Sequence, residues 1–225
     1  LARATPMITA APQFMMAARM EEAFDEQEKA SWVTPERGVI IEGERITRVG
    51  RALSIPPGAR VIDLGTGSGA VALALQHARP DTKVWAVDAS EDALAVARAN
   101  AARLHLGVQF MASDWLCAVD VLRTGRFDLI VSNPPYVADG DPHLSALTHE
   151  PLQALTSGAD GLDDIRQIIA QAPSRITPGG WLLLEHGWDQ AAAVQALLTQ
   201  AEFTEVQSRQ DLAGVDRCTG GRWSR

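Results

Sequence analysis

One feature constrains this chain more than any other: an alternation of strand-like and helix-like segments that starts at Arg60 and continues to the end. "RVIDLG" is a short apolar strand that ends in glycines, and "AVALALQHA" continues as a helix. "KVWAVD" (Lys83–Asp88) is the second strand. Ser90 is placed to cap the next helix, and Glu91 and Asp92 in its first turn suit the positive helix end. Leu94, Ala97, Ala101 and Leu104 fall on one face of that helix, the face expected to pack inward. Further strands are expected at "VQFMASD" (Val108–Asp114), "FDLIVS" (Phe127–Ser132) and "WLLLEH" (Trp181–His186), with a helix near Gly161–Gln171 before the last of these. A helix over Gln190–Ala201 and two terminal strands, near Phe203–Ser208 and Arg217–Trp223, complete the pattern. Such alternation predicts an α/β fold with a doubly wound, mostly parallel sheet. Ligands of these sheets sit beyond the carboxyl ends of the strands.

Composition narrows the partners. With 46% hydrophobic residues in a chain of 225, there is material for a sizeable core, which excludes wholesale disorder. The net charge is −8, and all of that excess falls after Arg60. No Lys/Arg cluster offsets it, so a phosphate backbone is an unfavourable partner and nucleic acid is not expected. No apolar run approaches the ~18 residues that span a bilayer, so no membrane partner is expected. Cys117 and Cys218 have neither metal-ligand spacing nor a disulfide pattern, which predicts a reducing, cytoplasmic setting with Cys117 an inert core thiol.

Residues 1–55 differ in character. Met15 to Ala30 reads as a helix with an acidic stretch, and "GVIIEGERITRVG" (Gly38–Gly50) as a short hairpin. "SIPPGAR" (Ser54–Arg60) is the expected boundary, giving a divergent N-terminal segment at 1–55, read as either a substrate-docking region or a truncated domain, and a main domain at 56–225. Arg3 and Arg19, without an acid in the first twenty residues, have the charge of a targeting peptide. Because the chain begins at Leu1 rather than Met, a truncated end is the preferred reading.

Two motifs carry chemistry. In "DLGTGSGA", Gly65, Gly67 and Gly69 lie between the first strand and its helix, where they permit a tight turn and close approach of a ligand to backbone. Asp88 ends the second strand 23 residues after Gly65, a spacing suited to a carboxylate that accepts hydrogen bonds from a ribose diol. This pair predicts a nucleoside cofactor but leaves NAD and S-adenosylmethionine both open, since Gly65, Gly67 and Ala70 also satisfy the dinucleotide pattern.

The second motif decides between them. Asn133-Pro134-Pro135-Tyr136 follows the fourth strand. Two successive prolines fix φ twice and remove two donors, which leaves a rigid corner rich in acceptors. The Asn133 side-chain oxygen and a carbonyl of Pro134 or Pro135 supply two acceptors for a planar –NH2 group, and Tyr136 supplies a face to stack on. A hydride-transfer enzyme has no use for that arrangement.

In the order "DLGTGSGA", "AVD", "SDW" and "SNPPY", the chain resembles S-adenosylmethionine-dependent methyltransferases that act on amino nitrogens. "SNPPYVADGDPHL", "HEPLQAL", "SGADGLDDIRQII", "PGGWLLLEHGWDQ" and "RCTGGRW" sharpen the resemblance to the protein-(glutamine-N5) methyltransferases of the HemK/PrmC family. That family methylates the glutamine of the Gly-Gly-Gln motif in peptide chain release factors, and the resemblance runs from about Arg60 to Arg225. It implies a seven-stranded, Rossmann-like class I methyltransferase sheet with an antiparallel last strand. It implies S-adenosylmethionine as cofactor, S-adenosylhomocysteine as product, no metal, and a release factor as protein partner.

By position, Gly65, Thr66, Gly67, Ser68 and Gly69 would surround the methionine portion of the cofactor and Asp88 its ribose. Asp114 and Trp115 would border the adenine, with Asn133 also beside the cofactor. Asn133, Pro134, Pro135 and Tyr136 would hold the substrate amide as the catalytic corner. The family's helical N-terminal domain has no clear counterpart in residues 1–55, where "TPERG" (Thr34–Gly38) only loosely matches its linker. The hairpin there resembles the opening of metal-dependent amidohydrolases, whose chemistry is excluded by the lack of a His-x-His pair.

The alternatives are an amino-methyltransferase acting on a ribosomal protein or a nucleic-acid base, a NAD-dependent dehydrogenase, and a protein that binds the cofactor without turnover. "HEPLQ" (His149–Gln153) is not a zinc motif and is expected to order a loop on the substrate side. His186 and Trp188 are expected to pack in the core rather than line the pocket.

Overall fold

The structure, a computed structural model, describes residues 55–141, 155–211 and 214–225. The helix expected at Met15–Ala30, the hairpin at Gly38–Gly50 and the His149–Gln153 segment lie outside them. The elements are β1 (Arg60–Leu64), α1 (Ala70–Ala78), β2 (Lys83–Asp88), α2 (Glu91–Leu104), β3 (Gln109–Ala112) and the short α3 (Val121–Thr124). After these come β4 (Phe127–Ser132), α4 (Asp163–Gln171), β5 (Ile176–Glu185), α5 (Ala191–Gln200), β6 (Thr204–Gln210) and β7 (Asp216–Arg222).

They build one seven-stranded sheet in the order β3-β2-β1-β4-β5-β7-β6. Strands β3, β2, β1, β4 and β5 pair in parallel, while β7 runs antiparallel between β5 and β6. The order reverses direction at β1, where the chain passes outward to β2 and β3 and then returns to β4 on the other side. This is the class I methyltransferase topology, doubly wound and Rossmann-like.

The period-2 alternation of each strand divides the core between two faces. Ile62, Leu64, Trp85, Val87, Ile130, Leu182 and Leu184 pack with Ile165, Ile168 and Ile169 of α4 and Val194 and Leu198 of α5. Their alternates, Val61, Val84, Ala86, Leu129, Val131, Trp181 and Leu183, pack with Val71, Ala72 and Leu75 of α1. Burial of each Val, Leu or Ile among them stabilises by about 1.5–3 kcal/mol, so the central strands are the least replaceable part of the fold.

Helix α2 starts as its sequence requires, with the Ser90 side chain accepting a hydrogen bond from the Ala93 backbone N–H. Leu94, Ala97 and Ala101 are buried along it. Leu104, expected on the same face, is instead exposed, because α2 ends there and His105 turns the chain in a left-handed conformation. Strand β5 begins at Ile176, earlier than the Trp181 expected from sequence. The Pro178-Gly179-Gly180 stretch reads as a turn in isolation, but Trp223 closes it against β7 by exchanging backbone hydrogen bonds with Gly179 and Gly180.

Candidate functional site

Strand register lines up the site. Leu64 at the end of β1 is level with Val87 of β2 and with Ser132 of β4, and Ser132 is level with Leu184 of β5. The residues that follow, Gly65, Asp88, Asn133 and Glu185, therefore stand in a row along the carboxyl edge. Ser132, fully buried, pins two of these strand ends together by donating its hydroxyl to the Leu64 carbonyl at 2.8 Å.

The glycine loop leaves β1 at Gly65, whose φ is +66°. A Cβ at this position would also lie 3.0 Å from the Trp115 ring, so both the turn and the ring on top of it demand glycine. Gly67 and Gly69 also have positive φ. The loop is tied down on three sides. Thr66 donates its backbone N–H to the Val87 carbonyl, Gly67 donates its own to Asp88 Oδ2 at 2.8 Å, and Asn100 of α2 donates to the Ser68 carbonyl at 3.0 Å.

Asp88 accepts one backbone N–H on each oxygen, from Gly67 on Oδ2 and from Ser90 on Oδ1 at 2.9 Å. Each oxygen keeps further lone pairs, so the carboxylate is oriented but not saturated. A carboxylate held in this way can accept two hydroxyls.

Beyond β3, Trp115 has φ of +45°, an unusual backbone for a bulky residue, and this conformation is held by contacts on both sides. Ser113 donates its hydroxyl to the Trp115 carbonyl at 2.7 Å, and the indole N–H donates to Asp164 of α4 at 3.1 Å. Asp114 is exposed and accepts from Gln167 of α4 at 3.4 Å. These two α4 residues, which sequence reading did not single out, hold the expected adenine-side pair.

The Asn133-Pro134-Pro135-Tyr136 corner closes the row. Pro134 is buried, and Asn133, Pro135 and Tyr136 are half-buried. Asn133 Oδ1 is a buried acceptor with no donor among the described residues. A buried acceptor left unpaired costs about 1–3 kcal/mol, so Asn133 Oδ1 is a ready acceptor for an added donor. The Arg217 guanidinium lies over the Tyr136 ring, 5.8 Å from its centroid. The chain after the corner is fastened to residues 155–158. Val137 and Ser157 donate to the Leu155 and Val137 carbonyls, and Asp139 donates to the Gly158 carbonyl.

Asp63 was also not singled out from sequence. It is buried on β1 beneath the loop, accepting from the Thr66 hydroxyl at 2.6 Å and from the Ala72 N–H at 3.2 Å. Burial pushes its carboxyl up to about 7, against the pull of those two donors and with a smaller push from the Asp88 charge.

His186 is fully buried, and burial lowers its basicity. Its Nδ1 donates to the Gly187 carbonyl at 2.8 Å, which leaves Nε2 to accept from the Thr219 hydroxyl at 2.7 Å. The expectation of core packing holds for His186 but not for Trp188, which is 72% exposed just past the end of β5. Cys117 is likewise exposed rather than in the core, because the short turn before α3 leaves it outside, and Gln171 donates to its sulfur. Among the described residues no group of three His, Cys, Asp or Glu side chains is arranged to hold a metal. No helix among them is long and apolar enough to cross a membrane.

Comparison with known proteins agrees with this geometry. The family model described as "Methyltransferase small domain" matches residues 51–210. The chain is 51% identical over 170 residues to a release factor glutamine methyltransferase of Burkholderia pseudomallei, covering 72% of this chain and 59% of that protein. It is 52% identical over 169 residues to one from Pseudomonas aeruginosa, covering 74% and 60%. The chain thus spans about three fifths of the length of the curated relatives it matches.

Among solved structures, a methyltransferase from Pyrococcus furiosus superposes with a TM-score of 0.59 at 19% identity, covering 75% of this chain and 77% of that one. A ribosomal protein L11 methylase from Lactobacillus delbrueckii subsp. bulgaricus gives 0.55 at 23% identity, covering 78% and 73%. These two similarities speak to the fold.

Proposed function

The chain belongs to the methyltransferase small domain family, and from that premise we propose that it transfers a methyl group from S-adenosylmethionine to a glutamine side-chain nitrogen in a protein. The protein we propose is a peptide chain release factor, and the glutamine is the one in its Gly-Gly-Gln motif. The observation that carries this reading is Asn133 Oδ1, a buried acceptor without a donor among the described residues, on the same sheet edge as the glycine loop and Asp88. The strong similarity of the matched segment to release factor glutamine methyltransferases supports the choice of substrate. In this reading residues 56–225 are the catalytic domain, residues 1–55 are a docking region for the substrate, and the reaction takes place in the cytoplasm.

The residues present fit the cofactor. Gly65 to Gly69 offer the backbone of a tight turn beside the Trp115 ring, and Asp88 has unused lone pairs on both oxygens for a ribose diol. Trp115 and Asp114 would flank the base. Bound there, S-adenosylmethionine supplies a methyl group already activated on a sulfonium, so the reading needs neither a metal nor a covalent nucleophile.

The work left to the protein is to prepare the amide. A carboxamide nitrogen is a weak nucleophile because its lone pair is delocalised into the carbonyl. Asn133 Oδ1 accepts one amide N–H and the carbonyl of Pro134 or Pro135 accepts the other. Together they turn the nitrogen's remaining electron pair toward the cofactor side of the corner. The same two acceptors stabilise positive charge as it grows on nitrogen, and their rigidity spares reorganisation at that moment. One of the two held protons then passes to water, which leaves the neutral N-methyl amide. Tyr136 stacks on the flat amide.

Mass spectrometry tests this directly. A purified release factor, incubated with the protein and S-adenosylmethionine, is expected to gain one methyl on the Gly-Gly-Gln peptide. An unmodified peptide, with cofactor binding measured separately, would remove the release factor from the proposal.

A further inference from the structure

Gln190 lies immediately before α5, where a capping side chain would be expected, yet it does not cap that helix. Its side chain points across to the catalytic corner instead. Nε2 donates to the Tyr136 carbonyl at 3.0 Å and to the Asp160 carbonyl at 3.1 Å, with the Gly161 carbonyl at 3.5 Å. Oε1 accepts from the Gly187 N–H at 2.7 Å. The amide can sit only this way round, because one end faces carbonyl oxygens and the other a backbone N–H. One side chain therefore joins three segments far apart in sequence: the Asn-Pro-Pro-Tyr corner, the turn before α4 and the end of β5.

The surroundings are shaped around this clasp. Gly161 has φ of +73°, and a Cβ there would lie 2.2 Å from the Tyr136 carbonyl and 2.8 Å from Gln190 Nε2. A Cβ on Gly187 would lie 2.9 Å from Gln190 Oε1. Both glycines leave space for the amide to reach the corner.

Gly187 is held in turn from behind. With His186 Nδ1 donating to its carbonyl, His186 Nε2 accepts from Thr219, whose oxygen then accepts from Ser208, and Ser208 accepts from Gln195 at 2.8 Å. Every hydrogen in that series has one consistent direction, which anchors the clasp to α5, β6 and β7.

We propose that Gln190 is a positioning residue for methyl transfer: by donating to the Tyr136 carbonyl, it sets the angle at which Asn133 and the proline carbonyls meet the substrate amide. This rests on the function proposed above. The prolines make the corner stiff but do not fix how it sits on the sheet, and Gln190 supplies that constraint. A displacement of the corner by about 1 Å is enough to lower the rate by up to about 100-fold.

Gln190→Glu separates positioning from packing. It keeps the volume and the acceptor for Gly187 but replaces the donor with an oxygen facing carbonyl oxygens. A second, activity-independent readout is available because Tyr136 is the chain's single tyrosine. Uniform 3-fluorotyrosine labelling thus gives one fluorine resonance, located in the corner.

The expected result is a fall in kcat of at least tenfold, with KM for the release factor and Kd for S-adenosylmethionine within threefold of wild type. The fluorine resonance is expected to shift or split. If Gln190→Glu does not fold, as judged by circular dichroism and cofactor binding, Gln190→Met is read by the same criteria. Wild-type kcat in the variant, a loss confined to KM, or an unmoved resonance overturns the proposal. A wild-type protein that methylates no release factor would defeat the functional reading alone, since the resonance still reports whether Gln190 sets the corner.

Discussion

On the β1–β2 side of the carboxyl edge, the polar groups are already in use. Asp88 has a backbone donor on each oxygen, Thr66 and Gly67 are tied to β2, and Ser68 is tied to α2. On the β4 side the corner is stiff, yet its principal acceptor, Asn133 Oδ1, is buried and lacks a donor among the described residues. The first region has met its own needs and presents surplus lone pairs. The second has an acceptor that no described residue satisfies and that an incoming donor would. In the proposed function, binding by a prepared surface and chemistry at an unsatisfied one would fall to neighbouring strand ends of a single sheet.

Replacing Asn133 should break this division most severely. Asn133→Ala removes the unsatisfied acceptor and with it the grip on the amide. Turnover is expected to fall by about 10²- to 10³-fold, as when one preorganised transition-state contact is deleted. Cofactor affinity should stay within about twofold, since none of the contacts that shape the loop involves the Asn133 side chain. Steady-state methylation rates beside calorimetric cofactor titration give both numbers. Equal loss of both would mean that the two regions are not separable.

The reverse pattern is expected on the other side. Asp88→Ala removes a charged acceptor for two hydroxyls and the partner of the Gly67 and Ser90 N–H groups. Cofactor affinity should weaken by about 10- to 100-fold, in line with one or two hydrogen bonds to a charged group. The rate at saturating cofactor should change far less. Single-turnover kinetics at high S-adenosylmethionine checks this, and a rate loss that saturation does not repair would count against the assignment.

Much of this comparison was legible before the structure. The alternation of strands and helices predicts the sheet, because buried parallel strands and their glycine-marked ends are written locally. The positions of Gly65, Asp88 and Asn133 on one edge follow once that sheet is assumed. What the sequence does not reveal depends on distance or burial. Gln190 meets Tyr136 across 54 residues of chain, and no local pattern announces that contact. Asp164 and Gln167 read as an ordinary helix face until Trp115 and Asp114 arrive against them. Trp188 and Cys117 mislead in the other direction. Their residue types suggest burial, but the turns that carry them leave the protein surface.

Asp63 shows how far the prepared region depends on burial, and it supplies the subtlest test. Its carboxyl titrates near 7 in the folded protein, against 3.8 ordinarily, chiefly because burial disfavours the charge. Between those values the native state keeps a proton that the unfolded chain has released. The Asp63 contribution to stability must therefore fall as pH rises from about 4 to about 7 and level off above, with a slope of about 1.4 kcal/mol per pH unit at most. Asp63→Asn retains an acceptor for Thr66 and Ala72 but has no proton to lose. Relative to the variant, the wild type is expected to lose about 2 kcal/mol between pH 5 and 7, since any relaxation around the buried charge reduces the full slope. Urea unfolding of both proteins across that range measures the difference, and contributions from other carboxylates cancel between them. Parallel curves would mean that Asp63 stays ionised beneath the loop. The loop would then owe its shape to a buried charge rather than to a neutral acid that accepts two hydrogen bonds.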